Sequence, residues 1–109
     1  MLAQAGIREI VRGRLAPAYR RPRKSKRGLH GLVNNAGIYQ PRTLMGTETE
    51  LFERRTRVTQ LGCFPGMKIV VPLMEQPGGG SIANISSVAG LRGCPAALAY
   101  SATKWALRG

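Results

Sequence analysis

Two short apolar runs that each close on turn-forming residues constrain the fold of this chain more than any other feature. Gly31-Leu32-Val33-Asn34-Asn35-Ala36-Gly37 begins apolar and ends in a turn, and Ser81-Ile82-Ala83-Asn84-Ile85-Ser86 alternates like a buried strand. The stretch between them is punctuated like a helix. Thr47-Glu48-Thr49-Glu50 fits a capping box, in which the Thr47 hydroxyl and the Glu50 carboxylate satisfy free amides at a helix start. Leu51, Phe52, Val58, Leu61 and Phe64 then supply its apolar contacts. Pro65 falls inside that pattern, removes a backbone donor and clashes one turn back, which predicts a kink or break. Residues 67–74 resume the apolar run, and Pro77-Gly78-Gly79-Gly80 forces a turn into the second strand. A second helix is expected just after Pro95, over residues 96–107.

At 109 residues the chain holds one modest core. Its hydrophobic fraction of 43% and the lack of a long apolar run predict a soluble chain without a membrane span. The net charge of +12 raises the question of a phosphate-rich partner. The position of that charge answers most of it. Arg8, Arg12, Arg14, Arg20, Arg21, Arg23, Lys24, Lys26 and Arg27 stand against Glu9 alone, so residues 1–27 carry +8 and the rest only +4.

Leu2, Ile7, Ile10, Val11 and Leu15 fall mostly at three- and four-residue steps, which predicts a short amphipathic helix over residues 2–15, ended by Pro17. The run from Arg20 to Arg27 repels itself and reads as a solvated linker. The domain expectation is a basic leader over residues 1–27, helical and then disordered, followed by an α/β domain over residues 28–109. Cys63 and Cys94 are widely spaced and His30 is the only histidine, so no zinc site is expected. Both cysteines read as buried free thiols, and with no secretory apolar region behind Met1 the expected setting is the reducing cytoplasm. His30 reads as structural or exposed, and Trp105 as a packing residue.

Tyr100 and Lys104 are four apart, so on a helix both rise from one face and can touch a common ligand. Ser87 ends the second apolar run, 13 residues before Tyr100. In a parallel α/β sheet the carboxyl ends of the strands converge on one edge, which brings Ser87 and the Asn35-Ala36-Gly37 loop to one crevice.

Together the segments Leu32-Val33-Asn34-Asn35-Ala36-Gly37, Gly80-Ser81-Ile82-Ala83-Asn84-Ile85-Ser86-Ser87 and Tyr100-Ser101-Ala102-Thr103-Lys104 resemble the motifs of the short-chain dehydrogenase/reductase family, in the family's order, across residues 29–109. The resemblance implies a partial Rossmann-like, doubly wound parallel sheet, incomplete at both ends. It also implies an oxidoreductase that interconverts alcohols and carbonyls with NAD or NADP. By the same resemblance Ser87, Tyr100 and Lys104 are the catalytic residues. Tyr100 exchanges a proton with the substrate oxygen, and Ser87 hydrogen-bonds that oxygen. Lys104 favours the phenolate and binds ribose hydroxyls. A free tyrosine ionises near pH 10, so acting near neutrality takes about 4 kcal/mol of preferential phenolate stabilisation. Asn35, Ala36 and Gly37, with Tyr100 and Lys104, are the implied cofactor-binding residues, and no metal is implied.

The pattern departs from the family in places. No apolar strand or properly spaced Gly-rich turn precedes Leu29. Thr59 stands where relatives commonly have an asparagine that opens a helix around a proton-relaying water, and Pro65 stands where an apolar residue is expected. These departures predict a truncated or frame-disrupted family member with impaired or no activity alone. Its partners are expected to be a small alcohol or carbonyl substrate and a second copy of itself, and neither nucleic acid nor membrane. The competing reading, from another functional class, is a non-catalytic binding module whose basic leader contacts nucleic acid or an acidic partner.

Overall fold

The computed structural model describes the backbone of residues 2–3 and residues 29–75 and 78–109 in full. Three strands, β1 (Leu2–Ala3), β2 (Gly31–Asn34) and β3 (Ser81–Asn84), form a sheet of that order. Both pairings are parallel. Leu2 lies opposite Gly31, and Gly31 through Asn34 run opposite Ser81 through Asn84.

Helix α1 (Thr49–Arg55) leads into a π-helical segment (Thr56–Leu61) and, after Gly62, into α2 (Cys63–Met74). A single 3-10 turn (Val88–Gly90) follows β3, and α3 (Leu98–Ala106) ends the chain's regular structure. The crossover from β2 to β3 is thus helical, as parallel strands require. One side of α2 seals a face of the sheet. Leu29 and Leu32 meet Val70 and Met74 there, with Met67, Ile69 and Ile82 packed around them. Helix α3 packs instead on α1, the π-helical segment and the 3-10 turn.

Several expectations are corrected. The helical periodicity at the N-terminus predicted a helix from Leu2 and no strand before Leu29. At Leu2–Ala3 the backbone is instead extended and paired with β2. The hydrogen-bonding groups along β2's edge find partners this way, which outweighs a weak local periodicity. The rest of that proposed helix, and the basic run over residues 20–27, lie outside the described residues.

The capping box does not form. The Thr47 hydroxyl donates backward to the Thr43 carbonyl at 2.7 Å, and the Thr43 hydroxyl accepts from the Gly46 amide at 3.1 Å, so this segment closes on itself. The helix opens one step later, from an extended Glu48 whose carbonyl takes the Leu51 and Phe52 amides.

The break expected at Pro65 is displaced upstream. Pro65 is the third residue of α2, where amides lack an acceptor within the helix, so its missing donor costs little. Irregularity is taken up instead by the wide turns of residues 56–61, and a second proline, Pro72, is carried inside α2. Of the apolar residues assigned to this region only Val58 is buried, whereas Phe52, Leu61 and Phe64 are exposed. Arg55 and Thr59 take the interior positions.

Strand β3 alternates as expected but is only half-buried, with Ile82 and Asn84 turned inward and Ser81 and Ala83 exposed. Helix α3 starts at Leu98 rather than directly after Pro95. Ala96 adopts a positive φ of 52°, and its carbonyl accepts from the Arg42 amide at 2.8 Å. That detour bridges Ala97 to Arg42 and delays the first helical turn.

Candidate active site

The carboxyl ends of β2 and β3 are joined directly. Asn34 Nδ2 donates to Asn84 Oδ1 at 2.8 Å, and the Ile85 amide donates to the Asn34 carbonyl at 2.9 Å. From that shared tip the chain runs through Ile85 and Ser86 to Ser87. Two hydrogen bonds stitch this segment to α3. Lys104 Nζ donates to the Ile85 carbonyl at 2.6 Å, and Ser86 Oγ donates to the Lys104 carbonyl at 2.8 Å. Lys104 is therefore fixed at both its head and its backbone, with only 3% of its surface exposed.

Tyr100 lies one turn earlier on α3, and the Lys104 ammonium sits 5.7 Å from the centre of its ring. Ser87 and Tyr100 line one mostly apolar cavity of about 310 Å³, with Tyr39, Val88, Cys94 and Pro95 forming much of the remaining wall. Ser87 also has a structural task, since its Oγ accepts from the Ala89 amide at 3.2 Å and caps the 3-10 turn. A hydroxyl oxygen that accepts one bond retains its proton for donation to a ligand.

The loop after β2 is less tightly gathered. Asn35 is exposed and Ala36 half-buried, and neither lines the cavity with Tyr100. Gly37 comes closer. A Cβ built on it would lie 3.5 Å from Lys104 Nζ and 3.8 Å from Thr59 Oγ1, occupying the space in front of the ammonium. Thr59 is fully buried, and its hydroxyl finds no partner among the described residues. A backbone floor without a side chain thus lies directly beside the Lys104 ammonium.

Sequence reasoning missed two residues here. Tyr39 forms the wall facing Tyr100, and the two rings meet in a T-shaped contact with centres 5.0 Å apart and planes at 67°. Arg55 is 0% exposed, and its Nη2 donates to the Gln40 carbonyl next to Tyr39. Its Nε and Nη1 have no acceptor among the described residues. Burial, with Arg42 adding like charge, lowers the Arg55 pKa, and nearby Tyr39 partly opposes that. A tyrosine in an irregular loop carries no periodic signal, and an arginine on a helix reads by default as solvated.

The cysteines divide. Cys63 is buried and free, and burial pushes its thiol up from its ordinary value while the Lys104 charge pulls the other way. Cys94, expected to be buried, is only partly so and lines the cavity. Trp105 is 46% exposed and lies under the Arg108 guanidinium rather than in the core. Among the described residues no cluster of three or more His, Cys, Asp or Glu could hold a metal, and no helix is long and apolar enough to cross a membrane.

Comparison with known proteins supplies the family. A family model described as short chain dehydrogenase matches residues 12–109, beginning upstream of the motif-bearing segment. The 3-alpha-(or 20-beta)-hydroxysteroid dehydrogenase of Mycobacterium tuberculosis (strain H37Rv) is 46% identical over 82 residues, covering 75% of this chain and 32% of the relative. The trans-4-hydroxycyclohexanecarboxylate dehydrogenase of Sinomonas cyclohexanicum is 44% identical over 78 residues, or 72% of this chain and 30% of that one. The solved structure of ElxO with NADP bound superposes with a TM-score of 0.70 at 32% identity, over 93% of this chain and 38% of its own. The chain thus spans about a third of the length of the curated relatives it matches.

Proposed function

The chain belongs to the short-chain dehydrogenase family and forms part of its Rossmann-like sheet, and on that premise we propose that it carries the proton-handling half of an NAD- or NADP-dependent alcohol/carbonyl oxidoreductase site. The observation that carries this reading is the convergence of Ser87, Tyr100 and Lys104. Two of them line one cavity, and the third lies 5.7 Å from the Tyr100 ring.

In this reading Ser87 Oγ–H donates to the substrate oxygen and holds it near the Tyr100 phenol. Tyr100 delivers a proton to that oxygen in reduction and removes it in oxidation. The Lys104 ammonium favours the phenolate that develops, and being hydrogen-bonded to Ile85 it does not swing away. Gly37 leaves room beside Lys104 for a ribose, and Asn35 and Ala36 flank the adenosine side. A bound nicotinamide supplies the remaining chemistry, hydride exchange with the substrate carbon. Two of the relatives are named for cyclic hydroxylated compounds, a hydroxysteroid and a hydroxycyclohexanecarboxylate. We infer that this chain's site also suits cyclic secondary alcohols and their ketones.

Fluorescence titration of the purified chain with NADH and NADPH tests the reading. Weak but saturable binding is expected, because the glycines of residues 1–28 lack the spacing that cradles a pyrophosphate. That binding should weaken in Lys104→Met, with folding checked by circular dichroism. Nicotinamide fluorescence indifferent to the protein, or to Lys104→Met, overturns the assignment.

A further inference from the structure

We propose that Tyr39 is a substrate-positioning residue, whose ring stacks against the carbon skeleton of a single-ring alcohol or ketone while Ser87 and Tyr100 hold its oxygen. The proposal rests on the oxidoreductase reading and deepens it.

Tyr39 is 61% exposed, which is unusual for a large aromatic ring placed beside a chemically committed residue. Its position is nevertheless well determined. Arg55, from the interior of the helical layer, holds the Gln40 carbonyl. Two residues on, the Arg42 amide holds the Ala96 carbonyl at 2.8 Å and the chain bridges to Ala97 at the foot of α3. The segment carrying Tyr39 is therefore tied both to the helix before the π-helical turns and to the residues that launch the Tyr100 helix. A ring held in this way is preorganised for contact rather than loosely exposed.

The T-shaped meeting of Tyr39 and Tyr100 commits an edge of one ring and a face of the other. Tyr39 keeps ring surface open to a ligand beyond that contact. The rest of the wall, Val88, Pro95 and Cys94, offers little hydrogen bonding, so orientation of the apolar part of a substrate falls to the aromatic surface. The volume suits a small ring. About 310 Å³ lies at the lower end of ligand cavities, which run roughly 300–1,000 Å³. A single ring fits such a space.

The test uses the full purified chain with cyclohexanone as the probe, observed by saturation-transfer NMR, in wild type, Tyr39→Ala and Tyr39→Phe. Circular dichroism and a thermal melt verify that each variant is folded. Cyclohexanone affinity should fall at least about tenfold in Tyr39→Ala, corresponding to about 1.4 kcal/mol, and return to near wild type in Tyr39→Phe, because the ring face rather than the hydroxyl makes the contact. NADPH titration of the same three proteins should give one common curve. Equal cyclohexanone binding by wild type and Tyr39→Ala, or no binding by wild type, overturns the proposal. Absence of NADPH binding alongside Tyr39-dependent ketone binding sinks the oxidoreductase reading and leaves the pocket assignment standing.

Discussion

Gly90 lies directly beneath the backbone of Lys104: a Cβ built on Gly90 would stand 2.7 Å from the Lys104 carbonyl oxygen and 2.9 Å from its carbonyl carbon. The same added atom would sit 2.4 Å from Ser86 Oγ, the group that donates to that carbonyl. The close approach of the 3-10 turn to α3 is therefore what lets Ser86 reach across and sets Ser87 beside Tyr100.

Gly90→Ala should be among the most damaging single-methyl changes in the chain. The obstacle is helix backbone, which cannot rotate aside, so the cost should approach about 3 kcal/mol, the upper end of ordinary overpacking. Gly93→Ala is the matched control, since a Cβ there meets nothing within 4 Å. Urea titration should show a lowered midpoint for Gly90→Ala and a midpoint near wild type for Gly93→Ala.

The two thiols should separate by reactivity, and Cys63 should make stability depend on pH. Cys63 is buried, its Sγ–H donates to the Thr59 carbonyl at 3.2 Å, and burial raises its pKa above the ordinary value of 9.0. Cys94 stands on the cavity wall. A maleimide should therefore label Cys94 first and Cys63 only as the fold opens, as read by mass spectrometry of the peptides. For stability the sign runs with the raised pKa, because the folded state keeps the Cys63 proton after the unfolded chain has lost it. This contribution is complete below pH 9.0 and is lost as pH rises through the folded value. Cys63→Ala should flatten that alkaline decline, whatever it does to stability at neutral pH.

Much of the fold was legible because its signals were local and periodic. Leu32 alternates with its neighbours and points into the core, and the apolar stretch carrying Val70 and Met74 covers it. That Ser87 and Tyr100 meet at one cavity, with Lys104 beside the Tyr100 ring, was legible because strand-end placement and helical spacing each act over a few residues; the roles proposed for them come from the family resemblance. The capping box failed because the Thr47 hydroxyl turns back to donate to the Thr43 carbonyl, four residues earlier, instead of accepting from the Glu50 amide, an orientation that sequence spacing does not predict. The N-terminal strand and the interior position of Arg55 depend on which distant backbone needs covering. Neither leaves a mark on the neighbouring residues.

Arg55 supplies the last prediction, in which stability and function should move in opposite directions. Its guanidinium is wholly buried, yet Nε and Nη1 are without acceptors among the described residues and the one bond made is to the carbonyl of exposed Gln40. Removing a buried charge that lacks a carboxylate relieves desolvation, and the Gln40 carbonyl can turn to water at little cost. Arg55→Met, which fills most of the same volume, should therefore raise stability by about 1–3 kcal/mol, measured by urea titration. The same change releases the segment that presents Tyr39, so the T-shaped contact with Tyr100 should loosen and cyclohexanone binding weaken. A fall in stability would mean that the guanidinium is satisfied by a group elsewhere in the chain. A rise in stability with unchanged ketone binding would show that Arg42 and Ala96 alone keep Tyr39 in place.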